Sequence, residues 1–151
     1  VPEFACDNMI AEGPNAIVHD GTIYLIYSGS LVGIDYTTGL VTAPAGQDAD
    51  LTDPNVWTKL DYPLQKSGVY NGQWQLGTGH GMWSNDEDGN LIYVFHNAEY
   101  ENGRYGGRDA QVRRVHWSKE GMPILDMQAA EELNPDYADI TMKIVVSGNK
   151  G

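Results

Sequence analysis

Glu12 and His80 occupy matching places in a pattern that the chain repeats. Each stands nine residues ahead of a glycine that closes a polar turn, Gly21 after Glu12 and Gly89 after His80, and those two glycines are 68 residues apart. Both also sit among glycines, in Glu12-Gly13-Pro14 and Gly79-His80-Gly81. A carboxyl group can pass a proton to a substrate, and an imidazole can do the same or hold a metal. By residue type alone, Glu12 is equally a solvated glutamate at a strand end, and His80 a histidine hydrogen-bonded inside a glycine turn. Trp74, Trp83 and Tyr70 have ring faces on which a sugar could stack, or they fill a core. Asp86-Glu87-Asp88-Gly89-Asn90 opens like a calcium loop but lacks the glutamate at its far end, so a hairpin turn is the better reading.

The elements that must carry these residues are short strands between turns. Residues 15–18 read as a strand, His19-Asp20-Gly21-Thr22 as a hairpin with the Asp-Gly signal, and Ile23-Tyr24-Leu25-Ile26-Tyr27-Ser28 as a near-continuous apolar strand covered on both faces. Residues 31–35 and 40–42 make weaker strands, and residues 50–57 a loop, because Asp53-Pro54 opposes a continuing helix. In the second half, residues 81–84 read as a strand, 85–90 as a turn, 91–96 as an apolar strand and 111–117 as another, closed by a turn at Lys119-Glu120-Gly121. Residues 143–146 form a last β-branched run. Helical spacing occurs only over residues 125–133, where Met127, Ala130 and Leu133 lie three apart before Asn134-Pro135. The fold class is all-β, with at most one short helix near the C-terminus. Two modules with a period in the sixties suggest radial blades of a β-propeller. The innermost strand of a blade lines the central channel, so Glu12 and His80 are expected to face one cavity. Two blades cannot close a ring, which makes this chain part of one.

Composition narrows the partners. Nine Lys and Arg against 21 Asp and Glu leave a formal charge of −12 over 151 residues. That balance opposes nucleic acid, which calls for a basic face, and opposes attachment to an anionic membrane. Apolar runs such as residues 91–95 fall far short of the about 20 residues that span a bilayer. The opening Val-Pro-Glu-Phe carries no basic and apolar leader, so no signal peptide is expected within these residues. Cys6 is the only cysteine, which excludes an intramolecular disulfide and a cysteine-clustered metal.

Taken in order, four segments resemble glycoside hydrolase family 43. Glu12-Gly13-Pro14-Asn15-Ala16-Ile17-Val18-His19-Asp20-Gly21-Thr22-Ile23-Tyr24-Leu25-Ile26-Tyr27-Ser28 is similar to the stretch that carries the family's catalytic acid. Asp50-Leu51-Thr52-Asp53-Pro54-Asn55-Val56-Trp57-Thr58-Lys59 resembles its blade-connecting loop, and Gly77-Thr78-Gly79-His80-Gly81 its glycine-flanked histidine motif, followed by the family's strand ending near Tyr93 to His96. Arg113-Arg114-Val115-His116-Trp117 with Lys119-Glu120-Gly121-Met122-Pro123 looks like the end of a last blade. The resemblance covers residues 10–125 and implies about two blades of a five-bladed propeller over residues 1–125. Residues 126–151 are then a closing segment or the start of a following region.

The resemblance also implies an activity: inverting hydrolysis of arabinofuranosyl or xylosyl linkages in plant cell-wall polysaccharides. Inversion uses one carboxylic acid to protonate the leaving oxygen and a second carboxylate, about 6.5–9.5 Å away, to activate water. Glu12 takes the place of the acid. The family's base is an aspartate of an earlier blade. Only eleven residues precede Glu12, and Asp7 among them lacks a matching context, so the 151-residue chain is expected to be inactive alone. His80 takes the place of a funnel residue that binds substrate and, in many relatives, helps hold a hydrated calcium ion at the propeller centre. Gly81 departs from the polar residue common after that histidine. Arg108 falls where relatives reach an arginine into the funnel, with a surface ion pair to Asp109 as the alternative. Trp74 and Trp83 join these as substrate-binding candidates. The expected partners are the polysaccharide and either the remaining blades or a second copy of the chain, at a secreted or cell-surface location. A non-catalytic carbohydrate-binding propeller is the alternative function.

Overall fold

The computed structural model describes residues 10–131 apart from residue 103, together with residues 143 and 145. Two antiparallel four-stranded sheets follow one another along the chain. The first runs β1 (Ile10–His19), β2 (Thr22–Ser30), β3 (Thr37–Pro44) and β4 (Thr58–Lys59), hydrogen-bonded in that order. The second runs β5 (Gly68–Tyr70), β6 (Gln73–Asn85), β7 (Leu91–Glu101) and β8 (Arg104–Arg114), again in chain order. A hairpin of β9 (His116–Trp117) and β10 (Pro123–Ile124) follows. Each sheet is a meander, the unit from which a propeller blade is built.

The turns explain why the strands reverse where they do. Asp20 and Gly21 both have positive φ, 44° and 73°, as a two-residue loop of primed type requires. Asn71 and Gly72 repeat this at 52° and 75°, which joins β5 to β6. Between β6 and β7 the Asp86 carboxylate accepts the backbone N–H groups of Asp88 at 3.0 Å and Asn90 at 2.7 Å, and the Asn90 side-chain amide at 2.9 Å. Those bonds, led by the Asn90 amide, hold its carboxyl below the usual aspartate range. This segment is a hairpin whose carboxylate is spent on its own backbone.

The core lies where the two sheets face each other. Tyr24, Ile26 and Leu40 come from the first sheet, Trp83, Tyr93 and Phe95 from the second, and Val115 and Leu125 close one end. The inner strand β6 packs across β1, β2 and β3. Tyr93 is fully buried and shares a 2.7 Å hydrogen bond with the Thr38 hydroxyl across the seam. Its ring fills the space in which a side chain at Gly81 would stand. That is the physical reason a glycine follows His80 here.

Several expectations need correction. Residues 31–35 form a turn, in which Gly33 has φ 140°, and not a strand. Residues 125–131 are bends and a turn and not the start of a helix, and residues 132–133 of the expected helix lie outside the described residues. The run 111–117 is divided, its first part ending β8 and its last part opening the β9–β10 hairpin. In β2 one face is fully buried through Tyr24, Ile26 and Ser28, while Ile23, Leu25 and Tyr27 on the other are only half-buried. The run 143–146 lies largely outside the described residues.

A methyl group at position 81 must displace the Tyr93 ring from a closed core, and overpacking of this kind costs about 1–3 kcal/mol. Gly81→Ala is therefore expected to lower the thermal unfolding midpoint, and an unchanged midpoint would show that the seam is looser than described.

Candidate active site

Glu12 and His80 are both placed by irregularities in inner strands. Pairing of β1 with β2 shifts register between Glu12 and Asn15, where Gly13 has φ 60° and Pro14 brings no N–H. Pairing of β6 with β7 shifts twice, between Leu76 and Gly79 and between Gly79 and Met82, and the second shift spans His80, whose own φ is 50°. A positive φ is unfavourable for histidine, and it is held by the His80 backbone N–H, which donates to Ser28 Oγ at 2.7 Å. The bare backbone of Gly13 lies against the imidazole, where an added Cβ would be 3.3 Å from the ring.

These bulges bring the two side chains together, as the repeat predicts. Glu12 Oε1 lies 3.8 Å from His80 Nδ1, and both side chains are half-exposed. Between them stands Tyr36, whose hydroxyl donates to Glu12 Oε1 at 2.8 Å and lies 3.2 Å from His80 Nδ1. Tyr36 is fully buried, and burial is the main reason its hydroxyl is pushed up to about 12. Glu12 adds to that rise, while a hydrogen bond from Ser28 and the charge of Arg108 oppose it. Tyr36 therefore stays a protonated donor at any working pH. Its ring stacks on His96, with centroids 5.6 Å apart and planes 16° from parallel.

The other sequence candidates divide. Arg108 is exposed and tied through Nε to the Tyr105 hydroxyl, and its charge acts on both Tyr36 and His96, so it belongs to this side of the molecule. Trp74 is 70 % exposed and borders a hollow of about 540 Å³ with Asn97, Glu99 and Tyr100. A second hollow, of about 380 Å³, opens beside Glu12 between Tyr27, Trp57 and Lys59. Trp83 is 5 % exposed and packed against Tyr93, so it is a core residue and not a stacking platform. Tyr70 has its face covered by the Arg113 guanidinium, 3.1 Å from the ring centroid. Asp7 lies outside the described residues.

Calcium asks for six to eight oxygen ligands. Among the described residues no three His, Cys, Asp or Glu side chains gather, and His80 Nδ1 is already engaged by the Tyr36 hydroxyl. The described residues do not by themselves fit such an ion. Tyr36 lies outside every motif, and Ser28 and His96, each at the end of a motif stretch, were given no role. The only sequence signal was indirect, in the glycines at 79 and 81 that make room for aromatic rings.

The family model for "Glycosyl hydrolases family 43" matches residues 2–123. This chain belongs to glycosyl hydrolases family 43. It is 31% identical over 134 residues to the "Extracellular exo-alpha-(1->5)-L-arabinofuranosidase" of Streptomyces avermitilis, covering 83% of this chain and 27% of that protein. It is 36% identical over 120 residues to "Alpha-L-arabinofuranosidase 43" of Humicola insolens, covering 76% and 24%. Among solved structures, an alpha-L-arabinofuranosidase from Lactobacillus brevis superposes with a TM-score of 0.67 at 30% identity, over 76% of this chain and 36% of that one. The chain spans about a quarter of the curated relatives it matches. Its two sheets are propeller blades of this family, and the glutamate and histidine motifs fall on their inner strands.

His96 provides a check on this electrostatic picture. Burial, then the charges of Arg108 and His80, lower its imidazole to about 4. Between that value and its ordinary one near 6.5, the unfolded chain binds the extra proton and the folded chain does not. The stability contributed by neutral His96 is thus present above about pH 6.5 and is lost as pH falls toward 4. In a proton NMR titration the His96 ring is expected to stay neutral at pH 5.5, and a midpoint near 6.5 would contradict the burial described.

Proposed function

We propose that the protein is an inverting glycoside hydrolase acting on arabinofuranosyl or xylosyl linkages of plant cell-wall polysaccharide, with Glu12 as the proton donor. The observation that carries this reading is the Glu12 carboxyl on a bulged inner strand, half-open to solvent and fixed through one oxygen by Tyr36. Glu12 passes its proton to the glycosidic oxygen as the bond to the anomeric carbon breaks, and the bonding pair stays on that oxygen. A second carboxylate takes a proton from the attacking water on the opposite face of the sugar. Glu12's described partners are Tyr36 and His80, neither of which is a carboxylate, so we place that base outside the described residues. The 151-residue chain by itself is then not expected to turn over, and the remaining blades, or a second copy, supply the other half of the site.

His80 and Arg108 bind substrate hydroxyls at the mouth of the site in this reading, and Trp74 offers an exposed ring for an outer sugar. The arabinofuranosidase names of the relatives support an arabinose-containing substrate. The name of the Streptomyces relative includes "extracellular", and no helix among the described residues is long and apolar enough to cross a membrane. That relative's name supports a secreted or cell-surface location. The exposed Trp74 equally suits a non-catalytic carbohydrate-binding propeller, which the same experiment distinguishes.

In the complete protein, Glu12→Gln is expected to lower turnover of arabino- and xylo-oligosaccharides by about 10²–10⁴-fold, with folding and sugar binding kept. Unchanged turnover would remove Glu12 from the mechanism. Saccharide binding without turnover in either form would establish the binding propeller instead. Trp74→Ala is expected to raise KM about twofold to tenfold through lost stacking, with kcat held, and an unaltered KM would exclude the ring from the substrate path.

A further inference from the structure

Tyr36 is the one described side chain that touches both Glu12 and His80, and no motif assigns it a role. Its hydroxyl is engaged on both sides. The proton goes to Glu12 Oε1 at 2.8 Å, while the oxygen lies 3.2 Å from His80 Nδ1. With the Tyr36 proton committed to Glu12, His80 Nδ1 carries the hydrogen in its contact with Tyr36. A donor on the phenol oxygen polarises the O–H and makes it a stronger donor to the carboxyl.

The ring cannot move away from this position. Tyr36 is fully buried, stacked on His96 on one side and overlaid by the bare backbone of Gly79 on another, where an added Cβ would lie 2.5 Å from the ring. The hydroxyl is therefore held in place before any substrate arrives, as an effective site demands.

We propose that Tyr36 is a positioning residue for Glu12: by donating to Oε1 it reserves Oε2 for the proton that goes to the leaving oxygen, and it stabilises the carboxylate that remains. This rests on the reading of Glu12 as the acid. The chemistry balances within the group itself. The Oε2–H bond breaks, the proton joins the glycosidic oxygen with the electron pair released from the anomeric carbon, and Glu12 is left anionic. As that charge grows, the Tyr36 hydrogen bond becomes charge-assisted and strengthens. An interaction that is stronger in the transition state than before it raises kcat and leaves KM largely alone.

The test compares Tyr36→Phe, Glu12→Gln and the double variant in the complete protein, on an unactivated oligosaccharide and on the 2,4-dinitrophenyl glycoside of the same sugar. Dinitrophenolate leaves with little help from an acid. Tyr36→Phe is expected to lower kcat on the oligosaccharide by about tenfold to hundredfold, the effect of a lost hydrogen bond to an ionised group, with a much smaller loss on the activated glycoside. In the double variant the Tyr36 substitution should add little to Glu12→Gln, because it acts through a group already gone. Equal losses on both substrates, full additivity in the double variant, or no loss on the oligosaccharide would each overturn the proposal. If Glu12→Gln itself leaves oligosaccharide turnover intact, the acid reading fails first and independently. Should the phenylalanine protein not fold, difluorotyrosine at position 36 keeps the shape and the hydroxyl but changes its donor strength. It must then alter oligosaccharide turnover more than dinitrophenyl turnover, and equal turnover overturns the proposal.

Discussion

The inner strand of the second sheet passes so close to two tyrosine rings that it cannot carry side chains where it crosses them. At Gly79 the obstacle is Tyr36, and at Gly81 it is Tyr93. His80, between the two, is thereby confined to a positive φ and pulled out of regular pairing with β7. Close approach of backbone to aromatic ring thus does two jobs at once. It lets the sheets pack as densely as a protein interior requires, and it turns one imidazole out of the sheet toward Glu12. The Gly13 bulge on the opposite strand is the complementary half of the arrangement, because its φ of 60° favours glycine and a Cβ there would crowd the imidazole at 3.3 Å.

Around that contact the polar groups sort by burial. Tyr36 and His96 are kept in their neutral forms by removal from water, one raised and the other lowered by the same cause. Glu12 and His80 remain half-exposed, and Arg108 stands outermost, tied to Tyr105. The result is a neutral, rigid floor beneath exposed groups that can exchange protons or meet a ligand. A buried neutral donor is well suited to hold a carboxyl in one orientation, since it keeps its proton at any working pH.

Glu12 and His80 were legible because each stands nine residues ahead of the glycine of its hairpin turn, Gly21 or Gly89, on the strand that leads into that turn. The strands themselves were legible where turn chemistry was explicit, as at Asp20-Gly21 and Asp86–Asn90. Tyr36 was not, because what makes it important is a partner 44 residues away, and nothing local distinguishes it from Tyr24 or Tyr93. Residues 31–35 were misread because three apolar side chains look like a strand, whereas Leu31, Val32 and Ile34 are exposed in a turn closed by Gly33. Trp83 shows the converse error. A tryptophan near a binding motif resembles a sugar platform, but the inward register of β6 buries it, while Trp74 on the same strand stays open.

Every ladder in the two sheets joins strands that are neighbours in the chain, so each sheet can zip up from its own turns. The contacts that define the site are of another kind. They cross from one sheet to the other, as between Tyr36 and His80, Ser28 and His80, Thr38 and Tyr93, or Asn15 and Trp83. Closing such distant contacts is the slow part of folding, because the intervening chain must be ordered before they are rewarded. The site is consequently a late-assembling feature of the molecule. It is complete only when two separately formed blades have docked, and it comes apart if they part, even while every strand stays paired. Its geometry is therefore a more sensitive gauge of blade docking than any measure of secondary structure.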